Sequence, residues 1–335
     1  MPHMPFRQSL RLGQYLAKQK LLRRDKFPLL VELEPLFACN LACVGCGKIQ
    51  EPAAMLKQRM PVEQAVGAIE ECGAPMVSIA GGEPLMHPKI HEIVRELLDR
   101  KKIVFLCTNA LLMERHIDKF TPHPDFAWMV HVDGMKERHD ASVSKEGGFE
   151  AAISAIKLAQ SRGFRVMTNT TVFNSDSPQD VIDILNYLND EIKVDNMQIA
   201  PGYAYWKAPD QEGFLGVEET RALFSKAFAQ GRRKKWRLNH SPLFLDFLEG
   251  KIDYECTPWA IPSYSLKGWQ RPCYLLDDGY VSTYQELIED TDWDAFGRGK
   301  DERCANCMAH CGYEPSAVFA TMGSLRESIR AAAGS

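Results

Sequence analysis

Several things are missing from this sequence, and each absence excludes a class. No apolar run approaches the roughly 18 residues of a membrane-spanning helix, so an integral membrane protein is not expected. There is no surplus of positive charge: 40 Lys and Arg face 44 Asp and Glu, a formal net charge of −4. That balance argues against holding nucleic acid by bulk electrostatics. No apolar h-region follows Met1, so secretion is not expected. Internal repeats and low-complexity tracts are also missing. With 45% hydrophobic and 25% charged residues, the 335-residue chain reads as an ordinary globular protein of one large domain or two.

What is present in excess is cysteine. Ten thiols fall as Cys39, Cys43 and Cys46, then Cys72 and Cys107 alone, then Cys256, Cys273, Cys304, Cys307 and Cys311. In a reducing compartment such residues serve as metal ligands, catalytic thiols or core residues more often than as disulfides.

Three regions are expected. Residues 1–28 form a basic segment: Arg7, Arg11, Lys18, Lys20, Arg23, Arg24 and Lys26 face one acid, Asp25, which leaves about −10 for the rest. Leu12, Tyr15, Leu16 and Leu22 fall near one side at helical spacing, so this is an amphipathic helix, packed on the main domain or resting on an anionic membrane. Residues 29–215 alternate strand and helix patterns. Strands are expected at 31–37, 76–80, 103–107, 127–132, 165–172 and 196–200, with helices at 61–72, 88–101, 111–119, 149–162 and 178–189. Such alternation predicts an α/β fold with a parallel sheet and right-handed crossovers. Six units are too few for a closed eight-fold barrel, so a partial barrel is expected, with function at the C-terminal ends of its strands. Residues 216–335 begin with a helix at 216–231 and a basic run, then turn to an irregular Cys-rich extension, which a metal site would help to stabilise.

Cys39, Cys43 and Cys46 follow the first strand with spacing C-x3-C-x2-C. Three thiolates on one loop hold three irons of a [4Fe–4S] cluster and leave one iron open. The alternative is a structural zinc site completed by a distant ligand. The triad resembles that of the radical S-adenosylmethionine (SAM) superfamily, which implies a partial (β/α)6 TIM-like barrel. It also implies cleavage of SAM to methionine and a 5′-deoxyadenosyl radical. One departure is Gly45, where that family usually has an aromatic residue. Gly81-Gly82-Glu83-Pro84 resembles the family segment that binds the SAM amino group, so Gly81, Gly82 and Glu83 inherit that role. His131, before Val132 and Asp133, and Asn169 in the fifth strand are further SAM contacts by resemblance; the plain alternative for each is a hydrogen-bonded structural residue.

Cys256, Cys273, Cys304 and Cys307 resemble the ligands of an auxiliary [4Fe–4S] cluster, with Cys311 spare or replacing one of the four; a zinc ribbon or buried thiols are the alternatives. Over nearly its full length the chain is similar to the adenosylhopane synthases of bacterial hopanoid biosynthesis. That implies addition of the 5′-deoxyadenosyl radical to the C22=C29 bond of diploptene, with a flavodoxin or ferredoxin as reductant. The substrate radical so formed needs a hydrogen atom, and Cys107, at the end of the third strand, is the candidate donor; its alternative is a small buried hydrophobe. Cys72 is expected in the core. Tyr203, Tyr205, Trp206, Trp259, Tyr264 and Trp269 are candidates for an apolar substrate tunnel or for an irregular core. The expected location is the cytoplasm, with the basic helix at the inner membrane face. Competing readings are a radical SAM enzyme acting on a peptide or polar metabolite, and a non-catalytic zinc-binding interaction protein.

Overall fold

Strand and helix alternate through the first two thirds of the chain in the computed structural model, which describes residues 4–205 and 207–323. Helix α1 (Phe6–Leu21) precedes β1 (Leu30–Glu34). Then come α2 (Ala53–Leu56), α3 (Val62–Cys72), β2 (Met76–Ile79), α4 (Ile90–Asp99), β3 (Ile103–Thr108), α5 (Met113–His116) and β4 (Phe126–His131). Helices α6 (Lys136–Ser142) and α7 (Gly148–Ser161) lead to β5 (Arg165–Val172), and α8 (Pro178–Asn186) leads to β6 (Asn196–Pro201). The six strands lie side by side in the order β6-β5-β4-β3-β2-β1, every neighbouring pair parallel. This is the expected α/β architecture.

Local chemistry explains the boundaries. Ser177 and Asp180 form a capping box around Pro178 at the start of α8. On α4, Ile90, Ile93, Val94 and Leu97 are buried at helical spacing, which turns one stripe onto the sheet. Successive strand residues point to opposite faces. Val31, Leu33, Val77, Ile79, Val104, Leu106, Trp128, Val130 and Val166 join the core beneath the helices. The residues between them, Glu32, Ser78, Cys107, Met129, His131, Asn169 and Gln198, line a cavity on the other face.

The N-terminal helix packs on the barrel. Leu16, with Phe27 and Leu29, closes a second core over Met76, Ile103, Phe105, Ala127, Met129 and Met167, and Leu12 and Tyr15 pack against it. This floor seals one end of the barrel and leaves the strand C-termini as the mouth.

The C-terminal segment is more regular than the sequence suggests. It contains α9 (Val217–Gln230), α10 (Pro242–Leu248), β7 (Ser263–Ser265), β8 (Gly268–Gln270), β9 (Tyr280–Val281), α11 (Tyr284–Glu289) and α12 (His310–Gly323). Strand β7 pairs in parallel with β1, and β8 and β9 follow antiparallel, so one sheet of nine strands runs across the expected boundary at 216. An uncovered β1 edge would leave a row of backbone donors and acceptors unpaired, and β7 satisfies them. Strands of two or three residues carry no periodic signal, which is why the pattern misses them. Among the described residues no helix is long and apolar enough to cross a membrane.

Candidate active site at the barrel mouth

The loop after β1 carries Cys39, Cys43 and Cys46, and the loop after β2 holds it in place. Gly82 donates its backbone N–H to the Leu36 carbonyl at 3.0 Å, and Glu83 donates to the Ala38 carbonyl at 2.9 Å. Gly81 adopts φ +103°, open to glycine at little cost. A Cβ on Gly81 would fall on the Leu36 carbonyl oxygen, and one on Gly82 on that of Ala38. The two glycines let one backbone rest directly on the other.

Glu83 also braces the neighbouring strand. Its buried carboxylate accepts from the Leu85 N–H (2.9 Å), the Thr108 hydroxyl (2.9 Å) and the Asn109 N–H (2.8 Å). Burial outweighs these bonds and pushes its pKa up to about 7. These three bonds tie β2 to β3 and position Asn109, and Glu83 still borders the cavity where it was expected to meet the SAM amino group. Asn109 in turn donates from Nδ2 to Asn40 Oδ1 (2.8 Å) and lies 3.8 Å from Cys39 Sγ. Sequence reasoning missed Asn109, although it follows Cys107 and Thr108 at a strand end, where function gathers in such folds.

Cys39, Cys43 and Cys46 all line one cavity of about 300 Å³, together with Gly81, Gly82, Glu83, Cys107, His131 and Asn169. Burial, then the neighbouring Cys46 and Cys39, pushes the Cys43 thiol up to about 12; burial chiefly raises Cys39 to about 11. Metal binding must displace those protons. Three soft thiol donors beside an open cavity fit a [4Fe–4S] cluster with one free iron. Among the described residues no three His, Cys, Asp or Glu side chains converge closely enough to share one metal ion. A cluster spreads its thiolates over several irons and does not ask for that convergence.

The opposite wall is polar at β4 and β5. His131 Nε2 lies 2.7 Å from Asp133 Oδ2, and Asp133 also accepts from Ser142 and from the Thr171 N–H. Burial works against the imidazolium, but the Asp133 carboxylate outweighs it and holds the His131 pKa above its ordinary value. Asn169 pairs in register with His131 across β4 and β5 and faces the same cavity. The space beside Gly45 is filled by rings from elsewhere: the Phe173 ring would sit 2.9 Å from a Cβ at Gly45, and Phe214 packs beside it. Neither ring was legible as a site residue, because each comes from a different loop.

Cys107 Sγ stands 3.3 Å from Ser78 Oγ on the cavity wall, and burial pushes its thiol up to about 12. Cys72 is in the core, within 3.6 Å of the Ile69 carbonyl. Of the tunnel candidates, Tyr203 and Tyr205 line the cavity and Tyr274 joins them. Trp259, Tyr264 and Trp269 do not: Trp259 packs with Phe27 and Phe319 under the barrel floor, while Tyr264 and Trp269 pack against each other, rings tilted, in the main core. The hairpin that carries Tyr264 and Trp269 turns both rings onto the helical layer. Trp206 lies outside the described residues.

Cys256, Cys273, Cys304 and Cys307 line a second cavity of about 390 Å³, and Cys311 lines it with them. Tyr203 borders both cavities. Burial raises the Cys273 thiol to about 12 and the Cys307 thiol to about 11, with Cys304 adding to each.

The family model described as the Radical SAM superfamily matches residues 33–188. This chain contains a radical SAM domain. A second model, a domain of unknown function (DUF3463), matches residues 197–331. Radical SAM proteins use a [4Fe–4S] cluster and SAM and need a reductant, and the C-terminal cysteines fit a second cluster. Among curated relatives, a GTP 3′,8-cyclase of Synechocystis sp. is 24% identical over 57% of this chain and 60% of its own length. An Fe-coproporphyrin III synthase of Methanosarcina barkeri is 25% identical over 55% and 46%, and an AdoMet-dependent heme synthase of the same organism 31% over 43% and 43%. The chain thus spans 60% or less of the length of these relatives. Among solved structures, Streptococcus suis SuiB bound to its precursor peptide SuiA superposes with a TM-score of 0.65 at 16% identity, covering 88% of this chain and 73% of SuiB. The structure of anSMEcpe with bound AdoMet gives 0.56 at 17%, over 83% and 79%. At such identities the likeness concerns the fold: the radical SAM barrel and its extension.

Proposed function

We propose that this radical SAM chain adenosylates a carbon–carbon double bond, and that its substrate is the polycyclic hydrocarbon diploptene, giving adenosylhopane. The observation that carries the reading is Cys107: a protonated thiol on the cavity wall, on β3 and apart from both groups of ligand cysteines. Cys39, Cys43 and Cys46 would hold the [4Fe–4S] cluster, with Gly81, Gly82 and Glu83 beside SAM and with His131 and Asn169 on the facing wall. When bound, cluster and SAM supply a 5′-deoxyadenosyl radical. Addition to an alkene leaves a carbon radical on the substrate, which closes to product only when a hydrogen atom arrives. Cys107 gives that atom, forming a C–H bond and breaking its S–H bond. Enzymes that abstract hydrogen and then oxidise the substrate radical have no need of such a donor. Phe173, Tyr203, Tyr205, Phe214 and Tyr274 supply ring surface for a water-insoluble substrate, whose burial is worth roughly 25 cal/mol per Å² before the costs of binding. Cys256, Cys273, Cys304 and Cys307 would hold the auxiliary cluster.

A second reading is favoured by the relatives: hydrogen abstraction from a peptide or a polar metabolite. SuiB carries a precursor peptide on a similar fold, and Glu32, Asn169, Gln198 and His310 add polar groups to the cavity. Anaerobic incubation with SAM, a flavodoxin or ferredoxin, and diploptene in D2O separates the two. The expected product is one adenosine-bearing triterpenoid with a single deuterium from the exchanged thiol. Release of free 5′-deoxyadenosine with no adduct favours the second reading.

We also propose that α1 brings the protein to an anionic bilayer. Phe6, Leu10, Leu21 and Leu22 are 81%, 52%, 84% and 51% exposed. They are four of the six exposed large hydrophobic residues among the described residues, beside exposed Arg7, Lys18, Lys20, Arg23 and Arg24. Such a helix buries apolar side chains in the headgroup layer, and each basic residue adds about 1 kcal/mol at an anionic surface. The full-length protein is expected to sediment with phosphatidylglycerol vesicles and not with phosphatidylcholine vesicles. The variant Phe6→Ser/Leu10→Ser/Leu21→Ser should remain in the supernatant; equal sedimentation of both proteins would refute the contact.

A further inference from the structure

Once Cys107 has given up its hydrogen atom, the sulfur carries an unpaired electron, and the next turnover needs both an electron and a proton there. The electron has a source of known class, the one-electron carrier. The proton has a harder route. The side of the cavity beneath Cys107 is closed by Phe105, Met129 and Met167 packed on Leu16, Phe27 and Leu29, an apolar floor that carries no protons.

Beside the thiol lies a short line of protic groups. Ser78 Oγ is 3.3 Å from Cys107 Sγ. Ser78 is the register partner of Glu32 across the parallel pair of β1 and β2, so their side chains point to the same face. Glu32, Ser78 and Cys107 all line the cavity. The other acids close by are committed elsewhere: Glu34 to Lys48 at 2.5 Å, and Glu83 to Leu85, Thr108 and Asn109.

We propose that Glu32 and Ser78 form the path that returns a proton to Cys107 between turnovers. The inference rests on the reading of Cys107 as hydrogen-atom donor. In the first step the substrate carbon radical takes hydrogen from sulfur, leaving a thiyl radical. One electron from a flavodoxin- or ferredoxin-type carrier turns this into a thiolate. The Ser78 hydroxyl passes its proton to sulfur and takes the proton of Glu32 in exchange, so the Glu32 O–H bond breaks as the S–H bond forms. The Glu32 carboxylate then recovers a proton from water through the cavity mouth.

The electrostatics suit this role. Burial, and then Glu34, raise the Glu32 pKa to about 7 while Lys48 opposes them, which leaves a carboxyl group able to give and regain a proton at neutral pH. Cys107, Tyr203, Tyr274 and Cys311 are the other titratable groups that feel the Glu32 charge.

Two measurements test the path, one of them without cofactors. In the protein free of cluster and SAM, alkylation of Cys107 is followed against pH by mass analysis of its peptide. Glu32→Gln removes a negative neighbour, so the profile should move to lower pH. In the loaded enzyme, Glu32→Gln and Ser78→Ala should each form one equivalent of adduct from the thiol already present. Later turnovers should then slow by about a hundredfold, the usual weight of a positioned proton donor. An unchanged alkylation profile together with unchanged steady-state turnover would overturn the path, and so would loss of the first equivalent, which would assign Glu32 to substrate binding. If the unmodified enzyme forms no adduct, the parent reading fails, while the alkylation profile still reports whether Glu32 and Cys107 are coupled.

Discussion

Cys107→Ala is expected to cleave SAM at close to the normal rate and to yield at least tenfold less saturated adduct, a loss of about 1.4 kcal/mol or more in barrier terms. The two readouts separate because Cys107 is not one of the three thiols beside the cluster position; it lies on β3 and faces Ser78 of β2. Burial keeps the thiol protonated, with its pKa pushed up to about 12, and only the protonated form has a hydrogen atom to give. Cys107→Ser is the sharper control. It nearly preserves size and keeps a polar partner for Ser78, but an O–H bond is too strong to yield hydrogen to a tertiary carbon radical, so it should fail as alanine does. Quantifying methionine, 5′-deoxyadenosine and adduct in one anaerobic reaction checks both variants. A full yield of saturated adduct from Cys107→Ala would remove the thiol from the chemistry.

Gly82→Ala should be nearly as damaging, by another route. The added Cβ would coincide with the Ala38 carbonyl group, one residue before Cys39, and neither backbone can yield without breaking the Gly82–Leu36 and Glu83–Ala38 hydrogen bonds. Forcing atoms into such a contact costs about 1–3 kcal/mol, and more where backbone meets backbone. Because the clash lies under the cysteine loop, the expected result is loss of the first cluster's iron together with a lower melting temperature. Iron analysis and thermal unfolding of Gly82→Ala beside Gly67→Ala test this, since a Cβ at Gly67 meets nothing within 4 Å. Full iron content in Gly82→Ala would show that the loop adjusts freely.

Much of the barrel was legible because its signals are local. Alternating apolar residues gave the six strands to within a few residues at each end, and Ser177-Pro178 marked a helix start that a capping box confirms. The strand expected at 31–37 ends at Glu34, because Pro35 offers no N–H to continue a ladder. Helix α1 had two readings, and the fold shows the packed one: Leu12, Tyr15 and Leu16 seal the floor, while Phe6, Leu10 and Leu21 stay exposed. Periodicity in a sequence reports that a stripe is apolar, not what covers it.

By itself the sequence determined the α/β alternation, the cysteine triad after the first strand and the glycine pair after the second, since each is a pattern of neighbours along the chain. Only the tertiary structure decided which rings face the cavity, that Glu83 braces Asn109, and that Glu32, Ser78 and Cys107 line one wall. Those three residues come from three strands, separated by the helices and loops that cross between them, and what unites them is strand register. Register follows from packing summed over the whole sheet, and no local window of residues contains it.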